Sequence, residues 1–159
     1  MKTAIVFISK HGTTHRVADQ IAQKLDDKGI AIIDLAKEKN VNIDIYDRII
    51  LGGSIHMGQV HKKTKAFIAQ HHTDLLKKDL GLFLCCMEKG EKAQEQYELA
   101  FPSELREHAK SNGLMGYEYL LEKMGFLEKI MVKKITGKDQ SYSSINEKAI
   151  DDFVANFNN

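Results

Sequence analysis

The fold is decided by one stretch near the N-terminus, Ala4-Ile5-Val6-Phe7-Ile8-Ser9-Lys10-His11-Gly12-Thr13-Thr14. Its first half is a short, wholly apolar run, which is typical of a strand buried on both faces of a parallel sheet. A small polar turn follows, and an amphipathic pattern with Val17, Ala18 and Ile21 on one face begins directly after it. The stretch therefore predicts a strand, a hydroxyl-rich turn and a helix in immediate succession.

Such a turn is a favourable place for a phosphate, because backbone N–H groups and the positive end of the helix dipole converge there. The hydroxyls of Ser9, Thr13 and Thr14 add donors, and Gly12 lets the backbone approach closely. A Walker-type loop would need a lysine after Gly12, and a dinucleotide fingerprint would need three spaced glycines; the turn has neither. Hydroxyls and amides without a fixed lysine favour a monophosphate, although an ordinary turn with a helix N-cap explains the pattern equally well.

Length and composition narrow the class of protein. The chain has 159 residues, which fit one domain, so we predict a single domain over residues 1–159. A net charge of +1 argues against a nucleic-acid partner. No apolar run reaches the roughly 18–20 residues that span a bilayer. Because a strand begins almost at the N-terminus, there is no room for a signal peptide, and we expect a cytoplasmic protein.

The cysteines and histidines suggest neither a disulfide nor a metal site. Cys85 and Cys86 are adjacent, and a bridge between neighbours is strained, so no structural disulfide is predicted. A redox role at the end of a strand and a purely structural role as small buried residues both stay open. The seven histidines are scattered, and no cysteine or carboxylate set completes a metal site, so no metal is predicted.

Apolar runs alternate with helical patterns along the rest of the chain. Further strands are predicted at residues 30–35, 45–54, 80–86 and 114–121, and further helices at residues 62–78 and 91–112. A capping box at Ser144 and Glu147 predicts the start of the last helix. The alternation predicts an α/β fold whose parallel sheet has helices on both faces. Three loops, residues 9–14, 54–60 and 86–90, would then meet at the carboxyl ends of the strands, where such sheets bind ligands.

The chain resembles the flavodoxin family in the phosphate turn, in the spacing of five strands, and in the segment Tyr46-Asp47-Arg48-Ile49-Ile50-Leu51-Gly52-Gly53-Ser54-Ile55-His56-Met57-Gly58. The resemblance covers nearly the whole chain and implies a three-layer sandwich with a five-stranded parallel sheet of order 2-1-3-4-5. It also implies FMN as the cofactor, with the phosphate held by the first loop. The family form of that loop is Ser/Thr-x-Ser/Thr-Gly-x-Thr, from which His11 departs.

Within that family, the chain is similar to the menaquinone-dependent protoporphyrinogen oxidases of bacteria. The similarity rests on Tyr46-Asp47-Arg48 leading into Gly-Ser-Ile, on the x-x-Gly-x-x-His pattern that ends at His61, and on the C-terminal third. It implies an oxidoreductase that passes electrons from a reduced tetrapyrrole to a quinone. The lack of Trp and the net charge of +1 favour such an enzyme over the alternative, a non-enzymatic electron-transfer flavodoxin. A flavin-free interaction domain is a third interpretation.

The resemblance also assigns candidate site residues to the three loops. The first loop would hold the phosphate, and the second and third would border the isoalloxazine ring. The candidates are Ser9, Lys10, His11, Gly12, Thr13, Thr14, Ser54, Ile55, His56, Met57, Gly58, Cys86, Met87, Glu88 and Gly90. His56 is the candidate catalytic residue, for proton transfer or anion stabilisation, because imidazole has a pKa near neutrality. A stacking or rim role is the alternative for His56.

A basic amphipathic segment spans residues 123–138. On a helix, Leu127 and Ile130 share an apolar face, and Lys129 and Lys133 lie opposite. Such a helix can lie on an anionic membrane surface, where each nearby lysine contributes about 1 kcal/mol, or it can pack on the sheet. Membrane contact would suit a quinone partner, since quinones reside in the bilayer, and would place the protein at the inner face of the membrane.

Overall fold

The middle of the central sheet is formed by short apolar strands that are buried on both faces. The computed structural model describes residues 1–137 and 140–159. The strands of this sheet are β1 (Thr3–Phe7), β2 (Ala31–Asp34), β3 (Arg48–His56), β4 (Gln59–Val60), β5 (Asp79–Cys85) and β6 (Ser111–Leu114). The parallel strands take the order β2-β1-β3-β5-β6, and β4 pairs antiparallel with the end of β3. This order confirms the predicted 2-1-3-4-5 arrangement of five parallel strands.

Helices cover both faces of this sheet. They are α1 (Thr13–Lys24), α2 (Lys62–Leu75), α3 (Gly90–Ala100), α4 (Ser103–His108), α5 (Phe126–Thr136) and α6 (Glu147–Asn158). The buried side chains of α2, α3 and α4 form a core cluster on one face, and those of α1 and α6 form a cluster on the other. The three-layer sandwich is therefore confirmed. Within the described ranges, no helix is long and apolar enough to cross a membrane.

A small second sheet lies beside the main one. Its strands, β7 (Gly116–Tyr119) and β8 (Tyr142–Ile145), pair antiparallel. Gly116 turns the chain out of the main sheet with a φ of 81°, and a Cβ there would lie 2.1 Å from the carbonyl oxygen of Ser144. We call residues 120–137, which follow β7 and include α5, the β7–β8 segment. None of the residues of α5 is buried.

The prediction of a strand at residues 114–121 is wrong. The fifth parallel strand is β6, and residues 116–119 belong to the small antiparallel sheet instead. The sequence Ser-Asn-Gly-Leu lacks an apolar pattern, and tertiary contacts place it in the sheet. Ser111 Oγ donates to the carbonyl oxygen of Phe153 at 2.9 Å. Gly113 leaves room for Met115, whose Cε would lie 2.5 Å from a Cβ at that position.

Three further boundaries differ from the prediction. The strand predicted at 45–54 begins only at Arg48, because residues 43–45 form a 3-10 turn. The helix predicted at 91–112 is divided into α3 and α4 around Pro102, whose ring removes a backbone donor. The predicted capping box is wrong: Ser144 lies in β8, and the side chain of Asn146 caps α6 by accepting from the Ala149 amide at 3.0 Å.

The close packing of β3 against β5 yields a stability prediction at Gly52. A Cβ on Gly52 would lie 2.2 Å from the ring of Phe83, which is fully buried on the neighbouring strand. We expect Gly52→Ala to lower the free energy of unfolding by about 1–3 kcal/mol, because the ring must move within a filled core. Urea denaturation measures this. Gly125→Ala is the control, since a Cβ there meets nothing within 4 Å; equal effects would contradict the prediction.

Candidate functional site

The turn after β1 presents open backbone donors at the start of α1. Gly12 is the N-cap residue and has a left-handed φ of 94°, without a side-chain capping bond. Its amide donates to Ser9 Oγ at 2.9 Å, so the Ser9 hydroxyl keeps its own proton to donate. The amides in the first turn of a helix have no acceptor within that helix. The turn therefore combines N–H donors with the positive end of the helix dipole, which suits a phosphate.

The two threonines of the turn direct their hydroxyls into the protein. Thr13 Oγ1 donates to the carbonyl oxygen of Glu118 at 2.7 Å. The hydroxyl of Thr14 bonds with the thiol of Cys85, and Thr14 is almost completely buried. Both residues therefore offer a ligand their backbone amides, while Ser9 offers its hydroxyl. The hydroxyls of Thr13 and Thr14 instead fix the turn to the strands behind it.

The second predicted loop, residues 54–60, is mostly a β-hairpin. Ile55 pairs with Val60 across the end of the sheet. Met57 and Gly58 form its two-residue turn, with φ values of 51° and 75°, as the twist of a tight hairpin requires. The side chain of Met57 is 87% exposed. The hairpin therefore holds Met57 and Gly58 out at the tip, while Ser54 is buried at the base.

His56 faces the first loop from the end of β3. Its ring contacts that of His11 edge to face, with centroids 5.6 Å apart. Burial lowers the pKa of His56 below its ordinary value of 6.5, and electrostatic interactions with His11 and Lys10 lower it further. His56 is therefore neutral at pH 7 and can accept a proton at a ring nitrogen.

The first two loops meet, as predicted, around two narrow crevices of about 10 and 140 Å³. Ser9, Lys10, Ser54 and His56 line both of them. Tyr117, in β7, lines the smaller crevice as well and was missed as a site residue. The signal for it was the pair Tyr117 and Tyr119, which lies inside the predicted strand at residues 114–121.

Among the described residues, those of the third loop line a different and larger space. This cleft has a volume of about 630 Å³, and Cys86, Met87, Glu88 and Gly90 form one of its sides. Its other side includes three tyrosines, Tyr117, Tyr119 and Tyr142. Tyr117 lines both this cleft and the smaller crevice. Tyr117 therefore lies between the crevice at the phosphate turn and this cleft.

The adjacent cysteines are free and buried. Burial raises the pKa of the Cys85 thiol to about 12 and also raises the pKa of Cys86. Because the thiolate is the reactive form of cysteine, both residues are poorly suited to redox chemistry at neutral pH. Their environment favours the structural role.

The β7–β8 segment reaches back onto the phosphate turn. The carboxylate of Glu128 lies 2.6 Å from His11 Nε2 and 3.2 Å from Lys10 Nζ. Lys123 Nζ would lie 3.2 Å from a Cβ placed on Gly12. Sequence reasoning missed these contacts because they join residues more than a hundred positions apart. The one available signal was an acidic residue within an otherwise basic helix.

The family is shown by a match over most of the chain. Residues 4–145 match the family model described as a flavodoxin domain. The chain therefore belongs to the flavodoxin domain family, as its sheet order and phosphate turn had indicated. Flavodoxins bind FMN, so the family membership confirms FMN as the cofactor at the level of the family.

Three individual proteins to which this chain is similar share between 19% and 31% sequence identity with it. The chain is 31% identical over 77 residues to the protoporphyrinogen IX dehydrogenase [quinone] of Escherichia coli K12, a match that covers 47% of this chain and 42% of that protein. It thus spans less than half the length of this relative. Flavodoxin 1 of Bacillus cereus is similar in structure, with a TM-score of 0.58, 21% identity and coverage of 99% and 97% of the two chains. A WrbA-like flavodoxin of Agrobacterium tumefaciens has a TM-score of 0.53, 19% identity and coverage of 99% and 91%.

Proposed function

We propose that this protein is an FMN-dependent oxidoreductase that takes electrons from a reduced tetrapyrrole and passes them to a quinone. The observation that carries the proposal is the tyrosine-lined cleft of about 630 Å³ beside the third loop. An electron shuttle needs only an exposed edge of its cofactor, whereas an enzyme needs a concave site for its substrate next to the cofactor. The similarity to the Escherichia coli dehydrogenase supports the same conclusion.

The first loop fits the phosphate of FMN. Its amides and the Ser9 hydroxyl are donors, and Lys10 adds a cation at the rim. His11 Nδ1 is buried and has no hydrogen-bond partner among the described residues, so it offers a further ring nitrogen to a ligand. In this proposal the turn from Ser9 to Thr14 holds the phosphate.

The remaining loop residues border the isoalloxazine ring. On one side these are Ser54, Ile55, His56, Met57 and Gly58, and on the other Cys86, Met87, Glu88 and Gly90. FMN supplies the redox chemistry, and the protein positions it and sets its surroundings. His56, neutral at pH 7, accepts a proton from the substrate side at a ring nitrogen.

The first experiment is the visible absorption spectrum of the purified protein after addition of FMN and removal of unbound flavin by gel filtration. Retained flavin absorbance is expected, and colourless protein at saturating FMN would overturn the proposal. The loaded protein is then assayed with protoporphyrinogen, with and without a naphthoquinone. Turnover that depends on the quinone supports the enzyme; a flavoprotein that gives no turnover would favour the electron-transfer protein.

We further propose that α5 brings the protein to a membrane surface. Its apolar residues are not packed on the sheet: Leu127 is 74% exposed and Ile135 67% exposed. Lysines on the same helix, Lys129, Lys133 and Lys134, are exposed as well and match an anionic lipid surface. The predicted segment ends at Lys138, which lies outside the described residues. Bilayer contact would place the protein where its quinone is dissolved.

Co-sedimentation with vesicles checks this prediction. We expect binding to vesicles that contain phosphatidylglycerol at low salt, less binding at high salt, and little binding to phosphatidylcholine vesicles. Leu127→Asp should abolish binding, because it puts a charge on the apolar face. Leu99→Asp is the matched control, since Leu99 is 80% exposed but lies on α3. Absence of binding by the unaltered protein, or equal loss in both variants, would contradict the proposal.

A further inference from the structure

A carboxylate of the protein itself, that of Glu128, lies against the phosphate turn. The two carboxylate oxygens of Glu128 contact different side chains: one lies 2.6 Å from Nε2 of His11, and the other lies 3.2 Å from Nζ of Lys10. The His11 side chain is only 11% exposed, so this pair is partly shielded from water. A carboxylate thus occupies side chains of the loop that the proposed function assigns to a phosphate.

The same segment also brings a cation to the turn. Gly12 has no side chain, and the space where one would begin is taken by the ammonium group of Lys123, 3.2 Å from the Cβ position. Lys123 lies outside the sequence motif of the loop and reaches it from the 3-10 turn at residues 121–123. A lysine ammonium at this place adds a second point charge to the one that Lys10 supplies within the loop.

We propose that Lys123 is a phosphate-binding residue and that Glu128 is an internal anion which the phosphate of FMN displaces. The inference rests on the proposed FMN binding. A phosphate monoester carries about −1.5 to −2 charges at pH 7, so it attracts Lys10 and Lys123 more strongly than one carboxylate does and repels Glu128. The crevice beside the turn has a volume of only about 10 Å³, so a bound phosphate needs space beyond it.

This arrangement predicts a preference for FMN over riboflavin, which has the same ring and no phosphate. The test is isothermal titration calorimetry of both flavins with unaltered protein and two variants, Lys123→Gln and Glu128→Gln. Lys123→Gln should weaken FMN binding by about tenfold or more, because it removes a charge-assisted contact. Glu128→Gln should tighten FMN binding by about threefold or more, because the competing charge is gone. Riboflavin affinity should stay unchanged in both.

Matched controls distinguish the effect of local contacts on flavin affinity from the effect of net charge. Lys28→Gln, before β2, and Glu107→Gln, on α4, make the same charge changes at exposed positions away from the turn. We expect neither control to alter the ratio of FMN to riboflavin affinity. If the controls change that ratio as much as Lys123→Gln and Glu128→Gln do, or if those two leave it unchanged, the inference is overturned.

A second measurement distinguishes failure of this inference from failure of the proposed function. If riboflavin binds but the ratio is insensitive to Lys123 and Glu128, flavin binding stands and the inference fails. If neither flavin binds, the proposed function fails, and the variants are titrated with inorganic phosphate while the amide NMR signals of Gly12 and Thr13 are followed. Shifts that are reduced in Lys123→Gln and enhanced in Glu128→Gln keep the inference; absence of shifts overturns it.

Discussion

Replacement of Arg48 by methionine is expected to lower the free energy of unfolding by about 3–5 kcal/mol, the cost of breaking a buried charge pair on one side. Arg48 begins β3 and is only 4% exposed. Its NH1 group donates to Asp27 Oδ2 at 2.7 Å, and its NH2 group donates to the carbonyl oxygen of Phe157 at 2.8 Å. The guanidinium carbon also lies 4.2 Å from the centre of the Phe157 ring.

The size of this effect follows from the buried polar groups that lose their partner when methionine replaces Arg48. Asp27 keeps the hydroxyl of Thr3 as a donor but loses its positive partner, and the Phe157 carbonyl loses its donor near the end of α6. Removal of one partner costs more than the pair itself contributes, because the remaining groups stay desolvated. Release of the end of α6 would in turn loosen the core cluster that it forms with α1.

Urea denaturation of three further variants, Lys110→Met, Asp27→Leu and Asp27→Leu combined with Arg48→Met, checks the explanation. Lys110→Met breaks an exposed ion pair with Asp79 and should cost no more than about 1 kcal/mol. Adding Asp27→Leu to Arg48→Met should recover part of the loss, because it removes the unpaired carboxylate. If the double variant is as unstable as the sum of the two single changes, Asp27 and Arg48 are not coupled and the explanation fails.

Replacement of His56 by alanine is expected to reduce quinone-dependent turnover by about a hundredfold or more, the range for loss of a positioned acid–base group. FMN should be retained, because the proposed phosphate site lies in the first loop and does not include this ring. His72→Ala is the control, since His72 lies on α2 and pairs with Glu104 away from the crevices. Unchanged turnover in His56→Ala would remove His56 from the mechanism and leave it a rim role.

The dependence of turnover on pH separates proton transfer from packing. The pKa of folded His56 lies below 6.5, so the imidazole becomes neutral as the pH rises through that lowered value and stays neutral above it. If the neutral ring is the proton acceptor, turnover should fall on the acid side below pH 6.5 and be level above it. His56→Gln keeps most of the ring's bulk but cannot titrate there. It should be as slow as His56→Ala and should lack this acid limb.

The parts of the fold that were predicted are those with a strong local signal. Local sequence patterns predicted these elements to within a few residues: the apolar runs of β1 and β5, and the turn that ends at Gly12. β6 could not be predicted this way, because its place depends on Ser111 bonding to α6 and on Gly113 making room for Met115. The hairpin at Met57 was also missed, since a methionine with positive φ is not a typical turn residue.

The residues of the candidate site also fall into two groups, those that local sequence predicted and those that contacts across the fold bring in. The first loop and His56 could be predicted to lie together because the topology brings the carboxyl ends of β1 and β3 to the same edge of the sheet, and the structure places His56 beside His11. Lys123 and Glu128 lie in a segment whose helical pattern was read correctly, but contacts across the fold decide which groups it presents. Their charges alone did not indicate that one would face Gly12 and the other His11.

Tyr119 in β7 pairs with Tyr142 in β8. The part of the chain that leaves at β7 and returns at β8, and that carries α5, therefore begins and ends at neighbouring positions. Such a part of the chain can be lengthened, shortened or exchanged without altering the order of the main strands. The order of the main strands is therefore independent of the length of this part of the chain, whereas the contacts of Lys123 and Glu128 at the phosphate turn depend on it. Shortening it would leave the main sheet in place and remove those two side chains from the turn.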